Sequence, residues 1–128
     1  LDRDLSRVPV VHPMKWDAYQ AFISMPGRHI GLAPMLDVEF NYARSYTKFF
    51  DITRCGAVGV YSTDSVCADV VSHGVDGLVI EQDKKLWAES ILRLADDESS
   101  RYSMLCNAEK KLIQLGDKAC QRYVDLIK

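Results

Sequence analysis

The chain has 128 residues, of which 48% are hydrophobic and 27% are charged, and its formal net charge is −2. These values are ordinary for a globular protein and predict one domain that buries about two-thirds of its surface on folding. The small net charge gives no general attraction to nucleic acid or to acidic membranes. No apolar stretch approaches the roughly 20 residues that a membrane span needs. We therefore expect neither a nucleic-acid partner nor a membrane span.

The four cysteines favour a reducing compartment over a disulfide framework. They include no C-x-x-C pair, and no cysteine–histidine cluster has the spacing of a zinc site. Each lies within an apolar pattern, as expected of small buried residues: Cys55, Cys67, Cys106 and Cys120. We therefore predict no metal site and a cytoplasmic location.

The first part of the chain contains two short apolar runs separated by a helical pattern. Residues 8–11 and 29–33 predict buried strands, and Met14 to Met25 predicts a helix that Pro26-Gly27 ends. Residues 34–39 then form a loop at the carboxyl end of the second strand. Open α/β sheets place their ligands at this end of the strands.

Residues 41–55 predict a helix of about four turns with two different faces. One face is largely aromatic and is expected to pack inward: Tyr42, Tyr46, Phe49 and Thr53. The other face carries an amide, a guanidinium, a hydroxyl, an ammonium and a carboxylate group: Asn41, Arg44, Ser45, Lys48 and Asp51. Ile52 is the one apolar residue on this polar face.

The polar face has the chemistry that an anionic ligand requires. A helix N-terminus offers free N–H groups and a partial positive charge. Arg44 adds a planar fork and Lys48 a mobile point charge, both suited to phosphate oxygens. Asp51, further along the helix, suits a pair of vicinal hydroxyls. This order fits a nucleoside diphosphate with its ribose, but a polar arc on a helix is, by itself, more often a solvated outer face.

Strand and helix patterns continue to alternate in the second half of the chain. Residues 57–61 and 77–80 predict buried strands. Helical patterns cover the other segments: residues 65–72, Asp83 to Leu94, a helix from the break at residues 96–99 to about Leu115, and Lys118 to Ile127 after a break at Gly116-Asp117. The alternation predicts an α/β domain in which all four strands are parallel.

Three segments, in this order and spacing, carry a resemblance to a known family. They are Phe40-Asn41-x-x-Arg44-Ser45-x-x-Lys48, the run KFFDITRCGAVGVYS over residues 48–62, and Gly74-Val75-Asp76-Gly77-Leu78-Val79. Together they resemble the donor-site region of GT-B glycosyltransferases of the group 1 (family 4-like) type. The commoner form of that family has two glutamates in this region. Here Asp51 stands at the second position and Ala43 at the first, which leaves Asn41, Arg44 or Ser45 to replace the first glutamate.

The resemblance implies a three-layer, Rossmann-like domain with a parallel sheet, the C-terminal half of a GT-B glycosyltransferase. Such a domain binds a nucleotide-sugar donor, whose sugar passes to a glycan or lipid-linked acceptor in bacterial surface-polysaccharide biosynthesis, without a cofactor or an obligatory metal. The implied substrate-binding residues are those of the polar face: Asn41, Arg44, Ser45, Lys48 and Asp51. The sequence assigns no catalytic residue.

We interpret the chain as one incomplete nucleotide-sugar-binding domain spanning residues 1–128. The family places the acceptor site in an N-terminal domain that this sequence lacks, and about two further strands are expected before Leu1. We therefore expect the chain alone not to turn over substrate. The alternative is a non-catalytic α/β module that binds a nucleotide or another protein.

Several other polar or aromatic positions have two possible roles. Residues 62–64, Ser-Thr-Asp, follow a strand and either cap the next helix or contact a ligand. The three histidines are expected to be structural, with His12 the best candidate for a functional role. Trp87 and Tyr102 are expected in the core.

Overall fold

A computed structural model describes residues 8–36 and 38–127. These residues form a mixed α/β arrangement. Its elements in chain order are α1 (Trp16–Ile23), β1 (Ile30–Ala33), α2 (Glu39–Tyr42), α3 (Thr47–Arg54), β2 (Val58–Ser62), β3 (Leu78–Ile80), α4 (Lys84–Asp96) and α5 (Glu98–Leu126).

The three strands form one parallel sheet in the order β1-β2-β3. In this sheet Ile30 pairs with Val58, and Val60 pairs with Leu78. The central strand β2 is buried at every residue, as expected of a strand covered on both faces. The strands predicted at residues 29–33, 57–61 and 77–80, and their parallel arrangement, are confirmed.

The strand predicted at residues 8–11 was wrong. These residues belong to no strand, and Val10 is 74% exposed. An apolar, β-branched run becomes a strand only where a neighbouring strand supplies backbone hydrogen bonds and a covered face. The described residues provide neither at this position, so the run stays outside the sheet.

Two hydrophobic clusters lie on opposite faces of the sheet. Alternate residues of β2 divide between them, since successive side chains of a strand point to opposite faces. Val58 and Val60 pack with residues of β3, α4 and α5, including Leu94. Tyr61 packs with Phe49 of α3 and with Ala108 of α5. Helices therefore cover both faces, and α5 contributes to both clusters.

Paired glycines allow α3 to approach the sheet closely. Gly31 of β1 and Gly59 of β2 are partners in the register. A Cβ atom on Gly31 would lie 2.5 Å from Cγ2 of Ile52, and one on Gly59 would lie 2.0 Å from the Tyr61 hydroxyl oxygen. The missing side chain of Gly31 thus lets Ile52 of α3 approach β1, and that of Gly59 leaves room for the Tyr61 ring. The elements α3 and β1 bound the candidate site.

The helix predicted over residues 41–55 is divided in two. The helix α2 ends at Tyr42, residues 43–46 are not helical, and α3 begins at Thr47. The buried residues of this region, Phe49 and Thr53, both lie in α3, whereas α2 buries none. Packing therefore holds only the second half of the segment as a longer helix, and a four-residue helix alone gains little from helix propagation.

Two further helix predictions also differ from the structure. Residues 65–72 form successive turns rather than a helix, with the Ser65 hydroxyl donating to the Ser62 carbonyl at 2.8 Å. Local hydrogen bonds of this kind compete with a helix, and β-branched valines within the segment add to the effect. Gly116 does not break the chain, because α5 continues through it to Leu126.

Two helix starts in the second half, those of α4 and α5, were predicted correctly. The Asp83 carboxylate accepts from the N–H groups of Lys85 and Leu86 at 2.8 and 2.9 Å, which caps α4. Asp97 caps α5 by accepting from the Ser100 N–H at 2.8 Å. Trp87 is half-buried against the α4 side of the sheet. Tyr102, expected in the core, is instead 70% exposed, so that prediction was wrong.

Candidate ligand-binding site

A cavity of about 510 Å³ opens at the carboxyl end of β1, between α1 and α3. The loop after β1 forms one wall, and α3 with the segment before it forms another. The lining residues are Tyr19, Ile23, Leu32, Ala33, Pro34, Met35, Leu36, Asn41, Arg44, Ser45, Thr47, Lys48, Asp51, Ile52, Cys55 and Cys67. Its place at the end of a parallel strand is where α/β sheets commonly bind ligands.

All five residues of the predicted polar face line this cavity, although they do not share one helix. Asn41 belongs to α2, Arg44 and Ser45 lie in the segment between the helices, and Lys48 and Asp51 belong to α3. The predicted common helical arc was therefore wrong, while the grouping of the side chains around one space is observed. Their role as ligand contacts stays a prediction.

Two cations stand on the α3 side of the cavity without a carboxylate partner among residues 8–36 and 38–127. The Arg44 guanidinium lies over the Phe40 ring, with 5.6 Å from Cζ to the ring centroid. Lys48 is exposed in the first turn of α3. The ion pairs of the described residues lie elsewhere: Lys85–Glu89 and Lys111–Asp76. No carboxylate within those residues forms an ion pair with Arg44 or Lys48, and both side chains line the cavity.

The start of α3 adds backbone donors to these two charges. The Tyr46 side chain, at the position before the helix, makes no capping hydrogen bond with the described first turn. That turn contains no acidic residue. Ser45, Thr47 and Lys48 all line the cavity, so this helix end faces it. N–H groups and the partial positive charge of a helix end attract anions.

The loop after β1 is held in place by a cluster of hydrogen bonds. The Ser62 hydroxyl, fully buried at the end of β2, accepts from the Met35 N–H at 2.8 Å and from Gln82 Nε2 at 3.0 Å. Gln82 Nε2 also donates to the Met35 carbonyl. Asn41 Nδ2 donates to the Leu36 carbonyl at 2.7 Å. These contacts assign Ser62 a role in shaping the cavity wall and occupy one amide donor of Asn41.

Asp51 has a partner from α1 that sequence reasoning missed. The Tyr19 hydroxyl donates to Asp51 Oδ2 at 2.9 Å across the cavity. Burial, and then the hydrogen bond to Asp51, raise the pKa of the Tyr19 hydroxyl above its usual value. The phenol therefore stays protonated and acts as a donor at neutral pH. The sequence signals only that Tyr19 and Ile23, one helical turn apart, share a face of α1, which does not identify the carboxylate that Tyr19 meets.

The histidines and the remaining polar candidates lie away from the cavity lining. His12 is exposed, and Nδ1 of His73 lies 2.9 Å from the Val79 carbonyl oxygen and 3.1 Å from its nitrogen, a backbone contact that orders this turn. Thr63 and Asp64 follow β2 but do not line the space.

The four cysteines are free thiols, and their burial differs. Cys67 is buried as expected, whereas Cys120 is exposed, so the prediction that all four are buried was wrong. Cys55 and Cys67 both line the cavity. Burial raises the pKa of the Cys67 thiol, which keeps it protonated and unreactive at neutral pH.

Residues 8–36 and 38–127 contain neither a metal-binding cluster nor a membrane-spanning helix. No group of three or more histidine, cysteine or acidic side chains in those residues is arranged to hold a metal ion. In the same residues, no helix combines the length and the apolar character needed to cross a membrane.

Comparison of the chain with protein-family models, with curated proteins and with solved structures finds no match. The functional assignment therefore depends on the chemistry of the cavity and on the family resemblance of its segments. The cavity combines the cationic side chains of Arg44 and Lys48 and a helix N-terminus with the Asp51 carboxylate and an apolar wall. This combination suits a ligand that has an anionic part, a hydroxylated part and an apolar or flat part.

Proposed function

We propose that the cavity binds the nucleoside diphosphate portion of a nucleotide sugar, and that the chain is the donor-binding domain of a GT-B type glycosyltransferase. The observation that carries the proposal is the grouping of Arg44, Ser45, Lys48 and Asp51 around one cavity at the carboxyl end of β1. The donor diphosphate lies against Arg44, Lys48 and the start of α3, and Asp51 accepts from the ribose hydroxyls. A parallel sheet with helices on both faces is compatible with the Rossmann-like domain of that family.

The proposed site contributes to sugar transfer by stabilising the leaving group. When the bond between the sugar and the diphosphate breaks, negative charge develops on the phosphate oxygen that departs. Fixed cations and helix N–H groups aimed at that oxygen lower the barrier because their interaction grows as the charge grows. We assign this role to Arg44 and Lys48, which both line the cavity. The acceptor and any general base belong to the other domain of such an enzyme, so the chain alone is expected to bind donor without turnover.

A titration with UDP, GDP, ADP and CDP, each compared with its nucleoside, tests the proposal. Lys48→Ala should weaken the best-binding diphosphate by roughly tenfold or more, because a charge-assisted contact of about 1.5–3 kcal/mol is lost. The nucleoside should be almost unaffected. Asp51→Asn should weaken the diphosphate and the nucleoside nearly alike, because both ligands carry the ribose. Calorimetry gives the dissociation constants.

A matched control is Lys85→Ala on α4, which removes an exposed lysine that does not line the cavity. Its diphosphate affinity should equal that of the wild type. The free energy of unfolding should change by less than about 0.5 kcal/mol in both lysine variants. The proposal is wrong if no nucleoside diphosphate binds, or if Lys48→Ala leaves the preference for diphosphate over nucleoside intact.

A further inference from the structure

The hydrogen bond between Tyr19 and Asp51 is a polar contact between α1 and α3. The two residues are 32 positions apart in sequence, and both line the cavity. The Tyr19 hydroxyl lies 2.9 Å from Asp51 Oδ2. The Tyr19 ring is supported on its own helix by Trp16, with 5.8 Å between the ring centroids, and one turn further along α1 Ile23 is buried. The phenol ring thus has Trp16 beside it on α1, and its hydroxyl meets the carboxylate of α3.

This contact restricts the carboxylate without using all of its acceptor capacity. An ionised carboxylate has two oxygens with about four acceptor positions, and the phenol occupies one of them on Oδ2. A donor that hydrogen-bonds to one oxygen restricts the rotation of the carboxylate group. It therefore also fixes the directions of the remaining acceptor positions. An unsupported aspartate would lose that rotational freedom only when a ligand binds, and this loss would weaken binding.

We propose that Tyr19 is a positioning residue, which orients Asp51 so that its carboxylate accepts from both the 2′- and 3′-hydroxyls of a ribonucleotide. The inference rests on the proposed function and adds to it the selection of ribose over 2′-deoxyribose. Tyr19 acts through Asp51 and makes no contact with the reacting atoms. Removal of its hydroxyl should therefore reduce discrimination between the two sugars more than it reduces affinity for a diphosphate.

The experiment compares the best-binding nucleoside diphosphate among UDP, GDP, ADP and CDP with its 2′-deoxy form. The wild-type chain should prefer the ribose form by about tenfold or more, the effect of one hydrogen bond to a charged group. Tyr19→Phe should reduce this preference several-fold, and Asp51→Ala should abolish it. The double variant should behave as Asp51→Ala alone, because Tyr19 has no route to the ligand once the carboxylate is gone.

The control is Tyr123→Phe, which removes the hydroxyl of a tyrosine that is 74% exposed on α5, outside the cavity. It should leave the preference for ribose unchanged. A second measurement needs no variant: the ¹³Cζ resonance of Tyr19 in the wild-type chain should shift more with the ribose ligand than with the deoxy ligand. This readout answers the question even if Tyr19→Phe fails to fold.

The possible failures are distinct. If the wild type binds diphosphates and Asp51→Ala weakens them, but Tyr19→Phe keeps the full preference for ribose, the inference fails while the proposed function stands. Additive effects in the double variant, or equal Tyr19 resonance shifts with both ligands, also overturn the inference. If no nucleoside diphosphate binds the wild type, the proposed function and the inference fail together.

Discussion

At the scale of single residues, the missing side chain of Gly31 sets the distance between α3 and β1. Gly31→Ala should destabilise the fold by about 1–3 kcal/mol, the usual cost of overpacking a filled interior. The added Cβ would meet Cγ2 of Ile52 at 2.5 Å and Cγ1 at 2.8 Å, and a β-branched side chain has few rotamers with which to yield. Chemical denaturation followed by circular dichroism measures the change.

The matched control for this substitution is Gly116→Ala in α5. A Cβ at Gly116 meets no atom within 4 Å, and the residue lies inside the helix. Alanine should therefore stabilise the chain by up to about 1 kcal/mol through its helix propensity. Equal effects of the two substitutions would contradict the packing explanation for Gly31.

Single residues of the cavity differ in how far the sequence could identify them. Arg44, Lys48 and Asp51 were predicted from their chemistry and from the family segment, and all three line the cavity. Tyr19 could not be assigned, because a tyrosine in a helix is more often a packing residue than a partner of a distant carboxylate. Which carboxylate it meets depends on how α1 packs against α3, and no local pattern encodes that packing.

At the scale of elements, a salt bridge fastens the turn segment before β3 to α5. Lys111 pairs with the buried Asp76 and also donates to the Val70 carbonyl at 2.7 Å and to the Ser72 hydroxyl at 3.0 Å. Asp76 Oδ1 accepts from the Ser72 N–H at 2.8 Å. One lysine side chain thus connects a non-helical segment with the long helix.

Lys111→Met should destabilise the chain by on the order of 3 kcal/mol, because it leaves the Asp76 carboxylate buried without its counter-charge. Adding Asp76→Asn to this variant should recover much of the loss, since the amide oxygen can still accept from the Ser72 N–H. Thermal and denaturant unfolding of the single and double variants provide the comparison. A double variant less stable than Lys111→Met would show that the charge of Asp76 is not the source of the cost.

The sequence predicted elements well where burial and periodicity agree. The three observed strands are short apolar runs, and the start of α4 follows the capping residue Asp83. It predicted poorly where local pattern and packing disagree. Residues 41–55 have a continuous helical pattern, yet only α3 buries side chains, at Phe49 and Thr53, and so the first turns separate from it. Conversely, α5 continues through Gly116 because one exposed glycine costs only about 1 kcal/mol in a long helix.

At the scale of the whole molecule, α5 divides into a packed half and an exposed half. Met104 and Ala108 are buried, and Leu112 and Leu115 pack against the cluster on the α3 side of the sheet. From Gly116 to Ile127 every residue is exposed. The contacts between α5 and the sheet therefore come from the first half of the helix.

A chain that ends at residue 118 should consequently keep its fold and its cavity. Its free energy of unfolding should stay within about 0.5 kcal/mol of the full chain, as for changes at exposed positions, while its helical circular dichroism falls with the lost turns. Leu112→Ala in the full chain is the contrasting variant. It removes a half-buried side chain from the packed half and should cost about 2 kcal/mol, the lower end of the range for leucine truncation.

The same shortened chain also tests whether ligand binding depends on the exposed half of α5. No residue that lines the cavity belongs to α5, so nucleoside diphosphates should bind the shortened and the full chain with equal dissociation constants. Calorimetric titration of both chains under the same conditions makes the comparison. Equal stability with weaker binding would mean that the exposed half of α5 reaches the ligand. A loss of stability beyond that of Leu112→Ala would mean that the exposed half supports the core.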